Sequence, residues 1–160
     1  MKRLLGIAIM CVFLWSGFVF AISFMEAWLK FRAPGVNLSI GLGIGKLVFG
    51  VLNKVEWFFA AIVFACLFFN KSIIHPSNKI GFGCIVLILL AQTFWLLPLL
   101  DARADAIING GSRTASSLHW LYVTAEMIKV TLLFFLGAAL IGYVQAKDLK
   151  EHNEYASGTN

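Results

Sequence analysis

Four long apolar runs limit what this chain can fold into. A bilayer core of about 30 Å needs about 20 helical residues to cross it, and the runs at about 4–27, 48–69, 80–100 and 118–146 all reach that length. Backbone groups in lipid must be hydrogen-bonded within the protein, so spanning segments are helices or closed barrels. The runs lack the alternation of barrel strands. The sequence therefore predicts an all-α, four-helix transmembrane bundle.

The composition supports a lipid environment. Only 13% of residues are charged and 60% are hydrophobic, whereas a soluble domain carries about 25% charged residues. The chain of 160 residues suits one compact unit. Its net charge of +5 is scattered between the apolar runs without a basic-aromatic strip. We therefore expect the lipid bilayer, and no nucleic acid, as a partner.

The second apolar stretch, 36–69, is longer than an upright span requires. As one helix it would measure about 50 Å at 1.5 Å per residue. We expect a short extra interfacial helix, or a projecting helix start, near residues 38–50, followed by the span at about 48–69. Polar connections follow at 70–79 and 101–117.

Both termini lie on one side of the membrane if four helices cross it. Many basic residues of the opposite side lie beside acids, whereas those near the termini and in 70–79 are closer to free positive flanks. The positive-inside rule then predicts that both termini are cytoplasmic. The polar tail at 147–160 is predicted to be cytoplasmic and frayed or disordered beyond Glu154.

Polar and ionisable residues of all four runs concentrate toward the non-cytoplasmic face. The candidate site consists of Glu26, Lys30, Arg32, Lys46, Asn53, Glu56, Asp101, Arg103, His119, Tyr122, Glu126 and Lys129. A charge at mid-helix costs about 2.5–3.5 kcal/mol on insertion scales, so these groups should face the bundle and find partners. We expect a polar pocket or an ion-pair network that opens toward the non-cytoplasmic side.

Two interpretations of this cluster stay open. It is either an ion-pair network that fixes helix register, through interhelical contacts of about 0.6 kcal/mol each, or a site for a small ligand, a lipid headgroup, an ion or a proton. The mixed signs of its charges argue against a simple channel ring of one charge.

Motifs for established chemistry are weak. The segment 41–46 has the glycines of a phosphate loop, but Leu47 replaces the required Ser or Thr, so Gly41 and Gly45 indicate helix packing instead. The three cysteines form no C-x-x-C pair. No metal site is predicted and no cofactor is expected, with haem ligation by His119 as an alternative. No Ser-His-Asp or Cys-His arrangement points to catalysis.

Four blocks carry a family resemblance: 26–35, 45–50, 53–56 and 117–126, which read EAWLKFRAPG, GKLVFG, NKVE and SLHWLYVTAE. They resemble a family of uncharacterised bacterial four-helix integral membrane proteins, distantly similar to the copper-resistance-D-like superfamily. The resemblance implies the four-helix fold and a bacterial inner membrane, and no established activity. The histidine and methionine ligands of a copper protein do not match, because Met10, Met25 and Met127 are not clustered near His119.

The sequence thus favours a non-enzymatic accessory or ligand-binding membrane protein. A small transporter or permease component is one alternative. A haem- or quinone-linked membrane redox protein is another. A membrane protein partner and a homo-oligomer are both compatible with the sequence.

Overall fold

The computed structural model describes residues 2–68, 76–111 and 117–158. Within these ranges the chain forms four long helical segments and no strand, and each segment is long and apolar enough to cross a membrane. The prediction of an all-α four-helix bundle is therefore confirmed, and the chain is a multi-pass membrane protein. Most of the predicted connection at 70–79, part of the one at 101–117, and the last two residues of the tail lie outside the described residues.

Two of the four helices, numbered here α1 to α4, contain a π-helical stretch. Helix α1 consists of Lys2–Val19, the π-helical Phe20–Glu26, Ala27–Leu29 and the 3-10 turn Lys30–Arg32. Helix α2 is Leu38–Phe68. Helix α3 consists of Pro76–Ala91, the π-helical Gln92–Leu96 and Leu97–Ile108. Helix α4 is Leu118–Gly158.

Helix α2 begins at Leu38 and runs without a break through the glycine-rich stretch. Of the two predicted forms, the structure has the helix start that continues into the span. Residues 38–50 do not form a separate interfacial helix. The turn before it explains where α2 begins: Ala33 is extended ahead of Pro34, and Gly35 has a φ of 81°. Asn37 then caps the helix, because its Oδ1 accepts a hydrogen bond of 2.9 Å from the Ile40 amide.

Helix α4 continues through the polar tail to Gly158, so the prediction of fraying beyond Glu154 is wrong for residues 155–158. The tail begins with Lys, Asp, Leu, Lys and Glu at 147–151, and Lys, Leu and Glu are strong helix formers. Lys147 and Glu151 also form an i,i+4 ion pair at 4.0 Å. The hydroxyl of Ser157 donates to the Glu154 carbonyl at 3.0 Å.

The helices form a ring in chain order. Each helix packs against the next, and α4 closes the ring against α1, so α2 and α4 lie diagonally opposite each other. The half of the bundle nearer the chain termini is filled by apolar side chains. Val12, Val63, Ile85 and Leu133, one from each helix, are completely buried there. The polar residues lie beyond this apolar half, in the middle of the bundle and at the end away from the chain termini.

Candidate functional site

A sealed group of polar side chains lies in the middle of the bundle, with at least one member from every helix. We call this group the core charge network; its members are Trp15, Glu56, Gln92, Glu126 and Lys129, and each is completely buried. The helices supply these positions in order from α1 to α4, with two from α4. Since none of the side chains reaches the surface, they depend on one another for hydrogen bonds.

Lys129 is the hub of the core charge network. Its ammonium forms an ion pair with Glu56 across the bundle, donates to the Gln92 Oε1 atom at 2.6 Å, and donates to the Glu126 Oε1 atom at 3.2 Å. Trp15 donates its indole N–H to Glu56 Oε1 at 3.0 Å. Gln92 Nε2 donates to Glu126 Oε1 at 2.9 Å. The network therefore ties all four helices together.

The network contains two carboxyl groups and one ammonium. The Oε1 atoms of Glu56 and Glu126 receive the contacts described above. Their Oε2 atoms are buried and have no hydrogen-bond partner among the described residues. Since a buried polar atom without a partner costs free energy, these two oxygens are the unsatisfied atoms of the network.

A second polar contact joins α2 and α3. Thr93 accepts hydrogen bonds on its hydroxyl oxygen from Asn53 Nδ2 at 2.9 Å and from Trp57 Nε1 at 3.0 Å. The Thr93 hydroxyl itself donates to the Leu89 carbonyl at 2.7 Å. Thr93 follows Gln92 within the π-helical stretch of α3, and single π-helical turns occur frequently at functional sites. Of these adjacent residues, Gln92 thus belongs to the core charge network, and Thr93 forms the contact between α2 and α3.

A small cleft opens at the end of the bundle that lies beyond this layer. We call it the outer cleft; it has a volume of about 120 Å³, and its polar lining is Lys30, Lys46, Asp101 and His119. The rest of its wall is apolar and includes Phe31, Phe49 and Leu100. The cleft therefore presents two ammonium groups, one carboxyl group and one imidazole on an apolar frame.

Lys30 is held in position in the outer cleft from three directions. Its ammonium lies 3.2 Å from Glu26 Oε2 and above the rings of Phe31 and Phe49, at 5.6 and 5.4 Å from their centroids. It also lies over Gly45, where an added Cβ would come within 2.8 Å of Nζ. The packing role predicted for Gly45 thus extends to the site itself, because a larger residue would displace the Lys30 ammonium.

Lys46 makes the corresponding ion pair on the other side of the cleft. Its ammonium lies 2.6 Å from Asp105 Oδ2, and both side chains are partly exposed. Exposed pairs of this kind contribute little to stability, so the pair mainly sets where the Lys46 charge lies.

An aromatic pair separates the outer cleft from the core charge network. Phe49, which lines the cleft, packs edge-to-face on Tyr122 with ring centroids 5.4 Å apart. Tyr122 is only 2% exposed, and its buried hydroxyl lacks a well-formed hydrogen bond. Because Tyr122 and Glu126 are one helical turn apart on α4, the tyrosine lies at the cleft side of the network.

The structure divides the predicted site into two levels. Glu56, Glu126 and Lys129 belong to the core charge network, with Asn53 and Tyr122 next to it. Glu26, Lys30, Lys46, Asp101 and His119 lie at or beside the outer cleft. Arg103 lines an adjacent cavity of about 170 Å³ that also contacts His119. Arg32 is exposed and stacks on Trp28 at 4.8 Å, so it is not brought into either level.

Three contributors were missed from the sequence: Trp15, Gln92 and Thr93. Gln92 and Thr93 are adjacent polar residues inside the otherwise apolar third run, and that isolation is the signal that identifies them. Trp15 gave no such signal, because a tryptophan in an apolar run is also typical of lipid contact.

Metal ligation finds no support in the described residues, where no three His, Cys, Asp or Glu side chains group closely enough to hold an ion. Comparison with protein families, curated proteins and solved structures finds no match to this chain. The function must therefore be argued from the site alone.

Proposed function

We propose that this protein is a non-enzymatic membrane protein that binds a small polar ligand in the outer cleft. The observation that carries the proposal is the convergence of Lys30, Lys46, Asp101 and His119 on one cleft above a sealed polar core. Ionisable groups within membrane helices are costly and rare, and they mark substrate, ion or ligand sites.

The size and lining of the cleft indicate the kind of ligand. Sites for drug-sized molecules measure about 300–1,000 Å³, whereas the outer cleft measures about 120 Å³. Ammonium and carboxyl groups line it together, which suits a ligand of a few heavy atoms that carries both an anionic group and a hydrogen-bond donor. Glu26 adds a buried carboxylate oxygen, Oε1, that has no hydrogen-bond partner among the described residues.

Ligand binding fits the geometry better than transport does. A transport path would have to continue from the cleft through the apolar half of the bundle. There Val12, Val63, Ile85 and Leu133 leave no exposed surface between the helices. A transporter role therefore requires a second conformation of the bundle. A haem- or quinone-linked role requires a far larger site than the outer cleft, and a Soret band in the absorbance spectrum would identify haem directly.

We propose further that the protein lies in a bacterial inner membrane with both termini in the cytoplasm. The distribution of basic residues supports this orientation, and the outer cleft then opens on the opposite side. An accessory role toward another membrane protein is compatible with this placement, with the ligand site regulating or stabilising the contact.

Native mass spectrometry of protein extracted from its membrane in mild detergent tests the proposal. Gly45→Ala is the informative variant, because it displaces the Lys30 ammonium from the cleft. Gly43→Ala is its matched control, because an added Cβ there meets nothing within 4 Å. We expect a bound small molecule on the wild type and on Gly43→Ala, and reduced occupancy on Gly45→Ala.

Two results would contradict the proposal. One is the absence of any small molecule from all three proteins, and the other is equal occupancy of the ligand on wild type and Gly45→Ala. A stoichiometric protein that co-purifies with all three, in place of a small molecule, would favour an accessory role that does not use the cleft.

A further inference from the structure

The charges of the core charge network do not balance if every group is ionised. Glu56 and Glu126 contribute two negative charges, and Lys129 contributes one positive charge. All three are completely buried in the part of the bundle that crosses the membrane. An uncompensated charge in such a medium is very costly, and buried groups normally neutralise instead.

Among the residues that the structure describes, the neighbours of the network supply no second positive charge. Trp15 from α1 and Gln92 from α3 contact it as neutral hydrogen-bonding groups, and Tyr122 from α4 lies beside it with a hydroxyl, a group that cannot carry a positive charge. The next described cation toward the cleft, Lys30, is already paired with Glu26. The missing positive charge must therefore be bound from outside.

We propose that the core charge network binds one proton, held between the carboxyl groups of Glu56 and Glu126. The two unpartnered Oε2 atoms are where the proton adds, because the Oε1 atoms are occupied by Lys129, Trp15 and Gln92. Protonation turns one of these bare anionic oxygens into a hydroxyl group and leaves one carboxylate to pair with Lys129. The network is then neutral as a whole.

The proton exchanges with the side of the membrane to which the outer cleft opens. Toward that side the network is covered by Tyr122, which packs with Phe49, Leu96 and Leu97, and Phe49 and Leu97 also line the cleft. Toward the other side lies the apolar half of the bundle. The O–H bond formed on the carboxyl oxygen replaces an O–H bond of a hydronium ion, so that water is the product left in the cleft.

This inference does not depend on the ligand proposed for the cleft. It assigns the buried half of the polar residues to proton binding and the outer half to ligand binding. A proton site of this kind makes the charge of the bundle core sensitive to the pH on one side of the membrane. A small monovalent cation would balance the same charge, and the test below separates it from a proton.

Infrared spectroscopy of the protein in lipid nanodiscs at neutral pH is the direct test. A protonated carboxyl group has a C=O band that is separate from the carboxylate and amide bands and shifts in D₂O. We expect this band in the wild type. It should be lost in Glu56→Gln and in Glu126→Gln, because each variant leaves one carboxylate paired with one ammonium. Glu26→Gln, which changes a carboxylate outside the network, is the control and should keep the band.

Lys129→Met gives an opposite and independent signal. Without the ammonium both carboxyl groups must take a proton, so the band should grow about two-fold relative to wild type. The absence of the band from the wild type is decisive by itself, even if a variant fails to fold. A wild type without the band, or a band that survives in both Gln variants, overturns the proposal. A missing band together with a melting temperature that rises in sodium but not in choline chloride assigns the site to a cation.

Discussion

The ammonium of Lys129 on α4 and the carboxylate of Glu56 on α2 form an ion pair across the diagonal of the bundle. Neither side chain is exposed. Helices α2 and α4 make few direct contacts because they face each other across the bundle axis, so this pair joins two helices that pack little against each other. We therefore treat it as the central contact of the structure.

Removing the cation of this pair should destabilise the protein strongly. Lys129→Met leaves two buried carboxyl groups without their ammonium, and breaking a buried pair from one side costs about 3–5 kcal/mol. Lys54→Met is the matched control, because Lys54 lies on the exposed face of α2 and should change stability by less than about 0.5 kcal/mol. Unfolding from mixed micelles by SDS titration measures both values, and equal stability of the two variants would contradict the burial of Lys129.

The Trp15 indole should contribute through its hydrogen bond to Glu56 as well as through packing. Trp15→Phe removes a donor to an ionised group, and such a bond contributes about 1.5–3 kcal/mol. Trp28→Phe makes the same change at an exposed position and should have little effect. The free energy of unfolding of each variant provides the comparison. A Trp15→Phe protein as stable as wild type would show that the indole N–H does not reach the carboxylate.

Thr93 should matter for the contact between α2 and α3. Thr93→Val removes the oxygen that accepts from both Asn53 and Trp57, and interhelical hydrogen bonds of membrane proteins contribute about 0.6 kcal/mol each. We expect a loss of about 1 kcal/mol. Thr131→Val is the control, since the Thr131 hydroxyl is exposed and bonds only within its own helix. Thermal melting followed by circular dichroism distinguishes the two, and identical melting curves would argue against this contact.

The glycines of α2 should respond differently to the same substitution. Gly43→Ala meets no neighbour and should stabilise the helix by about 0.5–1 kcal/mol, because alanine is the better helix former. Gly41→Ala would place a Cβ 2.1 Å from the Phe31 ring and should destabilise by about 1–3 kcal/mol, as overpacking does. If both variants are stabilised equally in SDS titration, the Phe31 ring does not pack on Gly41.

The spanning architecture could be predicted from the sequence because lipid allows few solutions. Once the four runs exceed the thickness of the bilayer, helices are required, and the structure has them. The sequence indicates that α2 is longer than one upright span requires. Whether its first part continues the same helix depends on the packing of Phe31 on Gly41 and of Lys30 on Gly45. That contact joins residues on two helices, and no local pattern reveals it.

The polar residues could be identified from the sequence, whereas their division into two levels could not. Helical spacing places Tyr122, Glu126 and Lys129 on one face of α4, but it does not say which residues of other helices meet them. The alignment of Glu56 with Lys129 depends on the relative height of diagonal helices. The inward orientation of Gln92 and Thr93 depends on the π-helical stretch at 92–96, which shifts the register of the side chains along α3.

A double-mutant cycle on Glu56 and Lys129 tests the central claim most directly. The free energies of unfolding of wild type, Glu56→Gln, Lys129→Met and the double variant are measured by SDS titration in the same micelles. If the two side chains form the buried diagonal pair, the double variant loses less stability than the two single variants combined, with a coupling energy of about 0.5–3 kcal/mol. Single effects that add to within about 0.3 kcal/mol would show that the two groups do not interact, and the core charge network would then be wrong.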